Sequence, residues 1–162
     1  MTDERIAASR LIPADPADIL AVLRDPDGHV AIDSSGMLQS AEGGIVEQEG
    51  DAFLVHMDRE ALGDYDLGRY DVTVRITAYR PDEQIEWRIE TGRFDIGHRY
   101  GYLLRPAQDG TEVESYCDWS MIDDSWKPIF PVIDAKALKA TLGILERAVL
   151  RGYPRPPAAS PA

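Results

Sequence analysis

Residues 68–79, GRYDVTVRITAY, alternate without a break: Tyr70, Val72, Val74 and Ile76 fall on one side of an extended chain, and Arg69, Asp71, Thr73 and Arg75 on the other. Successive side chains of a strand point to opposite faces, so this pattern specifies a strand with one apolar and one solvated face. The alternation spreads outward from there. Upstream, Met37 to Ala41 reads as a weak strand entering the Glu42-Gly43-Gly44 turn, and Ala52 to Arg59 as another, with Phe53, Val55 and Met57 on one face. The polar, glycine-containing link from Glu60 to Gly68 reads as a loop placed to fold over a pocket mouth. Downstream, Pro81-Asp82-Glu83 turns the chain, and Ile85, Trp87 and Ile89 alternate with Glu86, Arg88 and Glu90. A further strand over His98 to Leu104 and a last one over Thr111 to Met121 follow, the latter with Val113, Cys117, Trp119 and Met121 facing inward. Turns this short join antiparallel neighbours, because a parallel crossover takes about a dozen residues or more. The topology expected is a meander.

Helical spacing frames the alternating block. Glu4 to Ile12 supplies a first strand, and Asp15-Pro16 then places an N-cap aspartate before a proline at the first helical position, with Ile19, Val22 and Leu23 as the apolar stripe. Asp25-Pro26-Asp27-Gly28 breaks that helix, and His29 to Ile32 adds a turn or two. From Ile133 to Arg151, Leu138, Leu142, Leu145 and Val149 recur at helical spacing, which makes one helix of about five turns. The order is β-α-α-β6-α, an α+β chain with about seven strands. A one-sided sheet of that length exposes its apolar face unless something covers it, and the terminal helix is the element long enough. A curved antiparallel sheet wrapped around the C-terminal helix therefore leaves volume for a ligand.

A chain of 162 residues suits one domain. Residues 1–152 are assigned to it, and the proline-rich stretch 153–162 is expected to be a disordered tail. Cys117 is the only cysteine, so no intramolecular disulfide forms, and the three histidines lie in separate segments without a metal-ligand spacing. No cofactor is expected. The N-terminus lacks the pattern of a signal peptide, and no apolar run approaches the roughly 20 residues of a membrane helix, so stable membrane insertion is not expected and a cytoplasmic address is. The net charge of -12 opposes phosphate backbones, which removes nucleic acid from the partners. A small hydrophobic molecule is the expected partner, to a monomer or homodimer.

Several segments carry a family resemblance. Ser9 to Leu20, then Leu23-Arg24-Asp25-Pro26 and Ile32-Asp33-Ser34-Ser35-Gly36, resemble the START-like superfamily in its SRPBCC, polyketide cyclase/dehydrase branch. His98 to Leu104, Asp109 to Val113 and Asp118-Trp119-Ser120 are similar to that group's last two strands. The resemblance spans nearly the whole chain and implies the helix-grip fold, with a cavity between sheet and C-terminal helix for a lipid, a sterol or a polyketide-like molecule. It implies no reaction, because members include transfer proteins, aromatases and cyclases, co-chaperones and receptors.

On this reading the ligand-binding face comprises Phe53, Val55 and Met57, Tyr70, Val72 and Val74, and Trp87 and Ile89 from successive strands. His98, Tyr100 and Tyr102, Cys117 and Trp119, and Ile133 and Ala137 at the start of the helix complete it. Most of these serve equally as plain core. His98, Tyr100 and Tyr102 share one side of a strand, with Trp87 on the strand before, so they are the polar-tipped candidates. His98 and Tyr102 are the weak catalytic candidates, an acid/base pair for an aromatase, cyclase or dehydratase. Against that stands an ordinary strand-end histidine, and a third possibility is a protein-interaction module of co-chaperone type. Cys117 reads as an inert buried thiol, His56 as solvent-facing, and Asp33, Asp123 and Asp124 as turn formers.

Overall fold

The alternating segments pair into one seven-stranded antiparallel sheet. Its strands are β1 (Arg5–Ile12), β2 (Leu38–Glu42), β3 (Ala52–Asp58), β4 (Arg69–Arg80), β5 (Gln84–Glu90), β6 (Arg99–Ala107) and β7 (Gly110–Asp118). Helices α1 (Pro16–Leu23) and α2 (Pro26–Ile32) follow β1, and α3 (Ala135–Arg151) ends the fold. The computed structural model describes residues 3–60, 68–93 and 95–154; the expected loop over 60–68 and the expected tail therefore lie almost entirely outside the described residues.

Strand order is β1-β7-β6-β5-β4-β3-β2, a meander closed at one side by the first strand. The ladder from Arg5–Asp118 to Ile12–Thr111 joins the first strand in sequence to the last. Register shifts between Leu38 and Ser40 and between Ile76 and Ala78 bend β2 and the long β4, since an extra residue on one strand increases its local twist. The sheet thus curls over one face. On that face Ile12, Phe53, Val55, Val72, Val74, Ile76, Ile85, Leu104 and Val113 are buried, each at most 4% exposed.

Helix α3 supplies the matching stripe with Leu138, Leu142, Leu145 and Ala148. It packs principally on β1 and against α1 and α2, and Arg10 on β1 is 2.9 Å from Glu146. The expected start at Ile133 moves to Ala135 because the Asp134 carboxylate accepts a hydrogen bond from Ala137 N at 2.8 Å, capping the first turn. Asp118 has a similar effect on β7. Its carboxylate accepts from Ser120 N and Oγ, which ends the strand three residues before the expected Met121. Trp119 then turns inward and is 4% exposed, whereas Met121, expected inside, is 48% exposed. Asp33 and Asp123 form the expected turns, accepting from Ser35 and Ser125 respectively.

The outer face of the sheet is held by polar side chains around Tyr116. Its hydroxyl donates to Glu86 at 2.7 Å and accepts from Gln84 at 3.0 Å, and the Arg5 guanidinium lies 4.6 Å from the ring centroid. The ring crosses directly over Gly101, its partner on β6. A Cβ at position 101 would sit 2.5 Å from the Tyr116 oxygen and 2.9 Å from the Ile85 carbonyl. Gly101→Ala should therefore cost about 1–3 kcal/mol in urea unfolding. In a Tyr116→Ala background that penalty should shrink, because the larger obstruction has gone.

Candidate functional site

The lateral position of α3 decides what the curled face leaves open. Because the helix lies over the β1 side, it seals only part of the concave surface. Met57, Tyr70, Trp87, Ile89 and Tyr100 all face inward from the sheet yet remain half-buried, as do Ile133 and Ala137 at the start of α3. Phe53, Val55, Val72, Val74 and Tyr102 are fully buried beside them. The residues expected to line one pocket thus divide into a packed floor and a half-open aromatic trough.

Rings run across that trough in an unbroken series. His29 lies edge-on to Phe53 at 4.9 Å and to Trp87 at 4.7 Å between centroids. Trp87 stacks on Tyr100 at 6.2 Å and on Tyr102 at 5.9 Å, and Tyr100 meets His98 edge-on at 5.2 Å. His98 in turn meets Phe130, which stacks on Trp119. An imidazole stands at the α2 end of the row and another near the 119–134 segment. Sequence reasoning selected Trp87, Tyr100, Tyr102 and His98 but passed over His29. The available signal was the spacing of Pro26, His29 and Ile32, three residues apart on a helix whose other two members are plainly apolar.

The trough is electrically neutral. Burial lowers the His29 pKa to about 4, against the smaller raising effects of its bond to the Leu23 carbonyl and of nearby Asp25. Burial also lowers that of His98, whose Nδ1 is buried without a hydrogen-bond partner among the described residues. Burial raises the phenols of Tyr100 and Tyr102 well above the ordinary value, so both stay protonated. Ser115 faces Tyr102, and Cys117 faces Tyr100, across the β6–β7 ladder. The Cys117 thiol is pushed up to about 12 by burial, which leaves it protonated and unreactive at neutral pH. Among the described residues no group of three or more His, Cys, Asp or Glu could hold a metal ion.

Charge collects instead at the opposite edge of the sheet. An open depression of about 470 Å³ there is lined by Gln39, His56, Met57, Asp58, Arg69, Tyr70 and Asp71. It meets the trough at Met57 and Tyr70. His56 bridges three strands, Nδ1 lying 2.7 Å from Asp71 and Nε2 2.9 Å from Glu42. These bonds raise its pKa above the ordinary 6.5, that to Asp71 contributing most.

No family model and no curated protein matches the chain. Solved structures do. A Rhodobacter sphaeroides protein superposes with a TM-score of 0.66 at 14% identity, over 92% of this chain and 93% of its own. The Aha1 dimer from Colwellia psychrerythraea matches at 0.59 and 17% identity, over 94% of this chain and 98% of that one. DynU16, from the dynemicin biosynthetic locus, matches at 0.61 and 15% identity, over 94% of this chain and 49% of that one. The chain shares the helix-grip fold with these structures. No helix among the described residues is long and apolar enough to cross a membrane.

His29 and His56 act oppositely on stability. Between pH 6.5 and about 4 the unfolded chain takes up a proton at position 29 that the folded chain refuses, so stability falls with pH, by about 3 kcal/mol over that window. His29→Phe should lose less stability than the parent when urea unfolding is followed across it. His56 contributes stability that is fully present below 6.5 and lost as pH rises through its raised folded value. The difference between parent and His56→Gln should accordingly narrow toward alkaline pH.

Proposed function

We propose that this chain binds a small, flat, apolar molecule in the aromatic trough. The carrying observation is the partial exposure of Trp87 and Tyr100 on the inner face of a curled sheet, where neighbouring apolar side chains are sealed. Large rings left partly in water within a concavity provide area that a ligand can cover. Their neutral, largely apolar surroundings support an uncharged occupant or the apolar part of an amphiphile, and the aromatic row supports a planar one. The likeness to DynU16 is compatible with this reading at the level of the fold.

Support for catalysis is thinner. His98 and Tyr102 lie four residues apart along an extended segment, which separates their backbones by about 13 Å and does not make them a contacting pair. A phenol raised by burial donates hydrogen bonds but does not serve as a base at neutral pH. His98 retains a free buried nitrogen, which suits it to orienting a ligand polar group.

Thermal-shift and calorimetric titrations with palmitate, cholesterol and anthraquinone test the proposal. Anthraquinone should stabilise the fold, and Trp87→Ala should weaken its binding by roughly tenfold or more, as loss of a buried aromatic anchor does. Failure of all three to bind, or equal binding by the variant, would sink it.

A further inference from the structure

An imidazole in an apolar cluster is unfavourable unless both nitrogens are satisfied. At His29, one is. Nε2 lies 2.7 Å from the Leu23 carbonyl oxygen, which only an N–H can satisfy, so the proton resides there and Nδ1 presents a lone pair. No donor among the described residues is recorded on Nδ1. A phenylalanine in this place could pack against Phe53 and Trp87 without leaving an acceptor unanswered.

The backbone that carries His29 is held on all sides. The Asp25 carboxylate accepts from Asp27 N at the start of α2, and the Tyr153 hydroxyl donates to Asp25, tying the end of α3 to the α1–α2 turn. Gly28 presses against the Val22 carbonyl so closely that a Cβ would lie 2.0 Å from its oxygen. The imidazole is therefore a preorganised acceptor on rigid elements, beside the ring that anchors the trough.

We propose that His29 Nδ1 sets the specificity of the trough by accepting a hydrogen bond from an N–H or hydroxyl of a planar aromatic ligand seated beside Trp87. The chain then selects N–H heteroaromatics and phenols over their N- or O-alkylated counterparts. This rests on the aromatic trough being a binding site, and it adds a polar group that raises a ligand's affinity above that of a donorless ring such as anthraquinone. A matched pair differing only in that donor should be separated by roughly tenfold, because the alkylated partner displaces water from the acceptor without replacing its hydrogen bond.

Indole and N-methylindole are such a pair, and calorimetry on the full chain measures both. Tighter binding of indole, by roughly tenfold, with the preference falling toward unity in His29→Phe, is the expected result. Equal affinity for the two in the parent protein, or an undiminished preference in the variant, overturns the role of His29 while leaving the trough as a binding site. Binding of neither overturns both. Should His29→Phe fail to fold, nitrogen NMR of the parent decides: the His29 Nδ1 resonance should move with indole and stay with N-methylindole, and an unmoved resonance at saturating indole refutes the bond.

Discussion

The antiparallel ladder between β1 and β7 runs through eight residue pairs and binds the beginning of the sheet to its end. Without it β7 would be an edge, and α3 would have no floor. With it, Ile12 and Ala8 join Val113 and Ser115 beneath the helix, and Arg10 reaches Glu146 across the contact. Forming this ladder requires closing the longest loop in the sheet, so it is favourable only in combination with the burial of Leu138, Leu142 and Leu145. Sheet curvature, helix position and core are therefore mutually dependent.

The trough follows from that asymmetry. Drawing α3 over β1 leaves the inner faces of β4, β5 and β6 only partly covered, and the residues there are the largest rings in the sheet. A second small cluster of Cys117, Trp119 and Ile122, packed with Phe130 and Ile133, closes the side toward the start of α3. Between them lies a surface too apolar to be neutral toward water and too open to count as core.

Charge segregation reinforces the effect. A chain with a net charge of -12 gathers several of its ion pairs on the outer face and at the β2 edge, where Glu86 pairs with Arg99, Glu90 with Arg75 and Arg88, and His56 with Asp71 and Glu42. Inside, the histidines are held neutral and the phenols protonated. Hydrogen bonds formed there work against a low local dielectric, where they discriminate between ligands more sharply than they would in water.

Strand positions, the apolar stripe of the terminal helix and the antiparallel meander were legible in the sequence, because side-chain period and turn length are local properties of the chain. Boundaries erred where a carboxylate intervened: Asp134 delayed α3, and Asp118 ended β7 and sent Met121 into solvent. Trp87, Tyr100, Tyr102 and His98 could be placed on one face by alternation. Which of that face's residues would be sealed could not, since Val74 is buried and its cross-strand partner Ile89 half-buried only because of where a distant helix lies. His29 shows the same division. Asp25-Pro26 reads as a break followed by a turn or two from His29, whereas α2 runs from Pro26 to Ile32; the ring neighbours of His29 come from β3 and β5, and only tertiary packing brings an imidazole to the tryptophan that the periodicity had already found.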